Sequence, residues 1–120
     1  MKVVRRGDSQ EAPATAPIFV GTVHSRPLID KETSPAVTVT MVRFSGGARN
    51  KRHTHSADQI LYITDGQGIV ADETHEHAVS AGDIVHVPAG EVHWHGAAPG
   101  KEMAHLSILP PCETKIVDTE

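Results

Sequence analysis

Histidine dominates the residues of this chain that could do chemistry. The 120 residues include nine histidines but only two Phe, one Trp and one Tyr. Six of the histidines form three His-x-His pairs, which are His53/His55, His75/His77 and His93/His95. Residues two apart in a β-strand point to the same face, so each pair can present two imidazoles together. Because imidazole is the commonest metal ligand in proteins, these pairs indicate metal chelation.

Two of the pairs lie within longer patterns of glycine, proline and ligand-type residues. Residues 47–66 have the form G-x5-H-x-H-x3-Q-x6-G, and the segment that starts at Gly82 has the form G-x5-P-x-G-x2-H. The first pattern resembles the first sequence motif of the cupin superfamily. The second, over residues 82–97, resembles the second motif. The strands expected around both motifs fit the same fold, so the resemblance spans most of the chain.

The resemblance implies a small antiparallel β-barrel, or jelly roll, with one divalent transition metal in its interior. The implied ligands are His53, His55, Gln59 and His93. Family members commonly carry iron, manganese, nickel, zinc or cobalt, and they often form homodimers through edge strands. The chain departs from the family pattern at Gln59, where glutamate is usual, and at Ala97, where asparagine is frequent.

Gln59 has a physical consequence of its own. Three neutral imidazoles and a neutral amide leave a divalent ion with its full charge, whereas a glutamate would cancel one unit of it. A neutral ligand set should make the ion a stronger Lewis acid and favour the divalent over the trivalent state. We therefore expect nonredox chemistry, in which the metal orients a substrate oxygen or lowers its pKa, in preference to O₂ activation.

Several further segments resemble a narrower group of small single-domain cupins. These are residues 19–23 (FVGTV), residues 47–49 (GAR), Gln59 and residues 93–99 (HWHGAAP). The group includes manganese-dependent hydroxynitrile lyases, and the same segments are similar to cupins linked to carboxymuconolactone decarboxylases. The resemblance implies a lyase in which the metal, with manganese as the first choice, holds a cyanohydrin hydroxyl while a nearby base takes its proton. Thr40 and Leu109 depart from the lyases, which have a smaller residue and a polar amide there, and these differences can change the substrate or abolish this activity.

Two histidines are candidates for the catalytic base. His95 shares a face with His93 if residues 91–95 are extended, and the lyase resemblance places His105 in the pocket. Imidazole suits the role because it titrates near neutrality. We predict His75 and His77 to lie in a solvated hairpin. The expected walls of the substrate pocket are Thr40, Val42, Phe44, Leu61, Trp94 and Leu109.

The first hypothesis is a metalloenzyme of lyase or isomerase type, and two other functions stay open beside it. One is a metal-dependent dioxygenase, an activity that the cupin fold often hosts. The other is a module that binds a small ligand without turning it over. A sensor module would be expected to carry a second domain or an interaction tail, and neither is visible in the sequence. Because a fold does not fix a function, the choice depends on the site.

Short strands separated by glycine and proline must position these residues. No segment of ten or more residues has helical character, so we predict an all-β domain. Ser45-Gly46-Gly47 is expected to end one strand, and Asp65-Gly66 is expected to form a turn after another. Residues 69–71 and 77–79 should form a hairpin. The other predicted strands are residues 18–23, 37–44, 59–64, 84–88, 91–95 and 103–109.

Composition sets the remaining expectations. The sequence predicts a loose N-terminal arm over residues 1–17, a single barrel over residues 18–112 and a polar tail over residues 113–120. A net charge of −4 argues against a nucleic-acid partner, because binding by counterion release needs clustered cations. No apolar run is long enough to span a membrane. The single cysteine, Cys112, and the absence of a signal-like N-terminus favour a cytoplasmic protein with a small-molecule substrate.

Overall fold

Strands joined by turns and loops form the described part of the fold. The computed structural model describes residues 1–117, and this part of the chain contains ten strands and no helix. The strands are β1 (Ala12–Pro13), β2 (Phe19–Ile29), β3 (Thr38–Asn50), β4 (His53–His55), β5 (Gln59–Ala71), β6 (Glu76–Ser80), β7 (Ile84–Val87), β8 (Trp94–Ala97), β9 (Met103–Leu109) and β10 (Thr114–Ile116). Within residues 1–117, no helix could span a membrane.

Antiparallel pairing closes most of these strands into a barrel. The main sheet runs in the order β1-β2-β3-β8-β5-β6, and β7 also pairs with β5. Strands β8 and β9 lie end to end between β3 and β5, and each of them pairs with both. A separate two-stranded sheet joins β10 to β4. The predicted all-β antiparallel barrel is therefore confirmed.

The barrel interior follows the two-residue alternation of the strands. Inward positions of β5 include Leu61 and Ile63, which are fully buried. Phe44 of β3 and Met103 of β9 complete the centre of the core. The same alternation that buries these apolar residues also turns polar residues of the same strands, such as Gln59, into the barrel. One end of the barrel therefore carries a polar cluster.

Two glycine-rich segments that we predicted to end strands lie within them instead. Strand β3 continues to Asn50 because Gly46 and Gly47, with φ of 62° and 80°, form a bulge that shifts the register against β2. Strand β5 continues through Gly66, which has φ of 76° and lies against the backbone of Glu102 so closely that a Cβ would overlap the Glu102 carbonyl. The predicted break and the predicted turn are thus wrong, because a glycine with positive φ serves a bulge as well as a turn.

The chain termini take part in the pairing. Strand β1 lies in the segment that we predicted as a loose arm, and it pairs with Ser25 and His24 of β2. Strand β10 lies in the predicted tail, of which residues 118–120 fall outside the described part. The predicted hairpin is confirmed, since β5 and β6 pair in the register Val70 with His77. The division into arm, barrel and tail stays a prediction.

Candidate metal centre

Three of the predicted ligands lie together at one end of the barrel. His53 and His55 occupy the two ends of β4, and His93 directly precedes β8. His53 and His93 exchange two backbone hydrogen bonds of 3.0 Å each, which fixes the two segments side by side. One ring nitrogen from each of the three histidines falls within 4.8 Å of the other two. The part of the chain that the structure describes contains no other such group of His, Cys, Asp or Glu.

The outward ring nitrogen of each histidine has an oxygen partner. His53 Nδ1 lies 2.7 Å from the Lys51 carbonyl oxygen, and His93 Nδ1 lies 2.9 Å from that of Glu91. A carbonyl can only accept, so both rings carry their hydrogen on Nδ1 and present Nε2 as a base. His55 Nδ1 lies 2.9 Å from Thr114 Oγ1, and His55 Nε2 is buried without a hydrogen-bond partner.

Gln59 places an amide oxygen beside the three rings. Its side chain is buried, and its Oε1 lies 3.2 Å from His93 Nε2. Its Nε2 donates a 2.8 Å hydrogen bond to Ser107 Oγ of β9, which orients the amide with the oxygen toward the histidines. The orphaned His55 Nε2 and this amide oxygen both fit a bound cation, and imidazole and amide together suit a divalent first-row metal.

Burial lowers the pKa of two of the three candidate ligands. Desolvation lowers the pKa of His55 to about 4, with a smaller contribution from the neighbouring His93, and Gln59 acts weakly in the opposite direction. Desolvation also lowers the pKa of His93, although hydrogen bonding to the Glu91 backbone and the charge of its carboxylate oppose the change. Neutral imidazoles are the form that binds metals, so His55 and His93 need not lose a proton to a metal at neutral pH.

A second pair of histidines borders the cluster. His105 Nε2 lies 2.9 Å from His95 Nδ1, and the His95 ring centroid lies 5.6 to 5.7 Å from those of His93 and His53. Burial lowers the pKa of His95 well below its ordinary value, with further lowering by His105, and lowers that of His105 to about 4. The two predicted catalytic candidates thus lie together, next to the predicted ligands.

Asn50 supports this pair and was not expected from the sequence. Its Oδ1 accepts a 2.9 Å hydrogen bond from the His95 backbone amide, and its Nδ2 lies 3.2 Å from His95 Nε2 and 3.3 Å from Nδ1. Only its position at the end of β3, between Gly47 and His53 of the first motif, could have marked it. An amide nitrogen can only donate here, so Asn50 faces an unprotonated ring nitrogen.

A cavity of about 400 Å³ opens onto both histidine groups. Of the six predicted wall residues, Val42 and Phe44 line it. Leu61 lies in the core, and Trp94 packs outside the cavity under the Arg49 guanidinium, 4.4 Å from the ring centroid. Thr40 and Leu109 do not line it, although Thr40 faces Ser107 across the sheet. The walls missed by sequence reasoning are Ala16, Pro17, Ile18, Phe19, Asn50, Ser107, Thr114 and Ile116.

The other four histidines, which are His24, His75, His77 and His86, do not line the cavity. His75 and His77 are exposed around the start of β6, with ring centroids 6.1 Å apart. His86 lies on the surface, where its Nε2 is 2.8 Å from Asp58 Oδ2. These positions agree with the interpretation of the His75/His77 pair as a solvated hairpin.

An antiparallel barrel that collects three histidines and a glutamine at one end has the architecture of a cupin, and the three histidines suggest a site for a divalent metal. Residues 40–109 match the family model for the cupin domain, and the chain belongs to the cupin family.

The relatives include enzymes of two kinds. The chain is 37% identical over 119 residues to an (R)-mandelonitrile lyase from Granulicella tundricola. This match covers 98% of this chain and 91% of the lyase. It is 32% identical over 61 residues to an acireductone dioxygenase from Gluconobacter oxydans, but this match covers only 48% of the chain and 32% of the dioxygenase.

Solved structures share the whole barrel. A cupin-like protein from Thermotoga maritima superposes with a TM-score of 0.83 at 30% identity, over 96% of this chain and 92% of its own. The polyketide cyclase RemF from Streptomyces resistomycificus superposes with a TM-score of 0.87 at 22% identity, over 100% of this chain and 87% of its own. The second likeness concerns the fold alone.

Proposed function

We propose that this protein is a metal-dependent lyase of the hydroxynitrile lyase type, with His53, His55, Gln59 and His93 as ligands of one divalent ion, manganese being the first choice. The observation that carries the proposal is the shared cavity, which is lined by His53, His55 and Gln59 of the ligand-type cluster and, beside them, by the His95–His105 pair. The match to a mandelonitrile lyase over nearly the whole chain supports this choice of reaction.

When bound, the ion would supply Lewis acidity toward a substrate hydroxyl. The protein's own contribution is a neutral, largely apolar cavity with a proton acceptor at one side. In the tautomer where His95 Nδ1 donates to His105 Nε2, His95 Nε2 keeps its lone pair and faces the Asn50 amide nitrogen. We assign His95 Nε2 as the base, which would take the substrate proton in place of its contact with Asn50, and His105 as the partner that holds the ring in this tautomer.

The proton of the reaction is carried by the His95–His105 pair, with His95 taking it and giving it back, so no other proton carrier is needed. His95 takes the hydroxyl proton of a cyanohydrin, the oxygen forms a carbonyl, and the bond to the nitrile carbon breaks. The departing cyanide then takes the proton from His95 and leaves as hydrogen cyanide. Val42, Phe44 and residues 16–19 enclose the cavity with apolar surface, which suits an aromatic or aliphatic substituent on the reacting carbon.

The test is reconstitution followed by a cleavage assay. Chelator-treated protein is loaded in turn with manganese, iron, zinc, nickel or cobalt, and release of benzaldehyde from mandelonitrile is followed by absorbance. We expect activity with at least one ion and its loss in His53→Ala. His75→Ala, in the exposed His-x-His pair, is the matched control and should leave the rate unchanged. Undiminished turnover by metal-free protein would falsify the proposal.

A dioxygenase is the second candidate, favoured by the partial match to an acireductone dioxygenase. The chain spans about a third of that relative, and its ligand set has the neutral Gln59 in place of a carboxylate. Oxygen uptake by the iron- or nickel-loaded protein with an enediol substrate would support it. Tight binding of either substrate without any product would instead favour a non-catalytic ligand-binding role. The predicted cytoplasmic location and homodimer stay predictions, and light scattering of the purified protein tests the latter.

A further inference from the structure

Strand β10, from a distant part of the chain, pairs with β4, the strand that carries the candidate ligands His53 and His55. It pairs with β4 in the register Thr114 with His55 and Ile116 with His53. Beyond the strand ends, Ser56 N donates to the Glu113 carbonyl and Val117 N donates to that of Arg52, both at 2.9 Å. In the described part of the chain this two-stranded sheet is separate from the main sheet, so β10 attaches to the molecule at the candidate metal site itself.

The three candidate histidine ligands are held in different ways. His53 and His93 each donate from Nδ1 to a backbone carbonyl two residues earlier, within their own segment. His55 depends on Thr114, whose Oγ1 lies 2.9 Å from its Nδ1 and 59 residues away along the chain. With Nε2 of His55 aimed into the buried site, Nδ1 carries the hydrogen and Thr114 Oγ1 accepts it. One ligand is therefore held by a side chain that a single substitution can remove.

Strand β10 also forms one wall of the cavity. Thr114 and Ile116 line it, together with Ala16, Pro17, Ile18 and Phe19. Undocking of β10 would both release the His55 ring and open the cavity to solvent. The same short segment thus touches the candidate ligand and the space that a substrate would fill.

We infer that β10 is a clamp on the metal centre, in which Thr114 is a positioning residue for His55 and metal binding is coupled to docking of residues 113–117. The inference rests on the proposed metal site, although not on the lyase reaction. Because coupling free energies are reciprocal, a metal held by His55 must stabilise the docked strand as much as the docked strand stabilises the metal. Loss of a hydrogen-bond partner behind a ligating histidine typically weakens metal binding about 10- to 100-fold.

The first measurement is the zinc affinity of the full-length protein, determined by competition with a fluorescent chelator. Thr114→Val keeps the shape of the side chain and removes the acceptor, and we expect it to weaken binding about 10- to 100-fold. Thr114→Ser keeps the acceptor and should bind within about threefold of wild type. Lys115→Val, which introduces the same residue at the neighbouring exposed position of β10, is the matched control for changes in the strand and should bind like wild type.

The second measurement needs no variant and uses zinc because it is diamagnetic. Amide hydrogen exchange of Ser56 and Val117 should slow when zinc is added to the wild-type protein, since both amides donate across the β4–β10 junction. The clamp would be overturned by equal zinc affinity in wild type and Thr114→Val. It would also be overturned if the exchange rates of these amides were the same with and without zinc. Absence of zinc, manganese and iron binding in wild type would overturn the metal site as well, whereas metal binding without cyanohydrin cleavage would count only against the lyase.

Discussion

Burial of His105 should make the stability of the metal-free protein depend on pH. The ring is fully buried between the Phe44 ring, 5.5 Å away, and the His95 ring, 4.7 Å away. Burial lowers its pKa to about 4, from 6.5 in an unfolded chain. The unfolded state therefore binds more protons than the folded state between these two values, and the free energy of unfolding must fall as the pH is lowered.

The size of the effect follows from the two pKa values. No stability is lost above pH 6.5, loss grows between pH 6.5 and 4, and it is complete below pH 4 at about 3 kcal/mol. Between pH 7 and pH 5 the loss from this one residue is about 2 kcal/mol. This is a large share of the total, because small domains are stable by only about 5 to 15 kcal/mol.

Urea denaturation of chelator-treated protein at pH 7 and pH 5 measures this loss. Wild type should lose about 2 kcal/mol more than His105→Gln over this interval, because glutamine cannot be protonated. His75→Gln, a change at an exposed histidine, is the control and should match wild type. If wild type and His105→Gln lost the same stability, the ring would not be kept neutral by burial, and the reasoning would be refuted.

Three further changes test the site and the core. Phe44→Ala should lower the free energy of unfolding by about 3 to 5 kcal/mol, as measured in urea, because Phe44 is fully buried at the centre of the barrel. Ser107→Ala removes the acceptor for the Gln59 amide and should weaken zinc binding by about 10-fold in chelator competition, with unchanged affinity contradicting the orienting role. Gln59→Glu adds a negative charge beside the histidines; it should tighten metal retention during dialysis yet slow cyanohydrin cleavage, since the ion's net charge falls by one unit. A faster reaction in this variant would contradict the argument from the neutral ligand set.

The ligand cluster could be predicted because part of its geometry is local and the rest follows the spacing of a family motif. His53 and His55 share a face through the two-residue period of a strand, and the spacing to Gln59 and His93 resembles the two motifs of one family. The prediction of the strand ends failed at Gly46, Gly47 and Gly66 for a local reason as well. Positive φ is needed both in a turn and in a bulge, and only the pairing partners across the sheet distinguish the two.

The cavity walls could not be predicted, because their positions depend on pairing between distant segments. Trp94 was expected to line the pocket, but it turns outward and packs under Arg49. Part of the cavity is lined instead by Ile116 and residues 16–19, which come from opposite ends of the described chain. Residues 16–17 and Ile116 were predicted to lie in the arm and the tail, whereas residues 18–19 were predicted to begin a strand of the barrel but not to line the pocket.

Substitutions at the candidate ligands and substitutions in β10 should change the site in different ways. The candidate ligands are set by a spacing within β4 and around β5 and β8, so a substitution there removes the site. The orientation of His55 and the shape of the cavity depend on Thr114 and Ile116, in a segment that pairs only with β4 in the described structure. Changes in this terminal strand can therefore alter metal affinity and substrate fit while the ligand motif stays intact. Two chains with the same motif need not share a metal or a substrate, and comparison of their terminal strands should distinguish them better than comparison of their ligands.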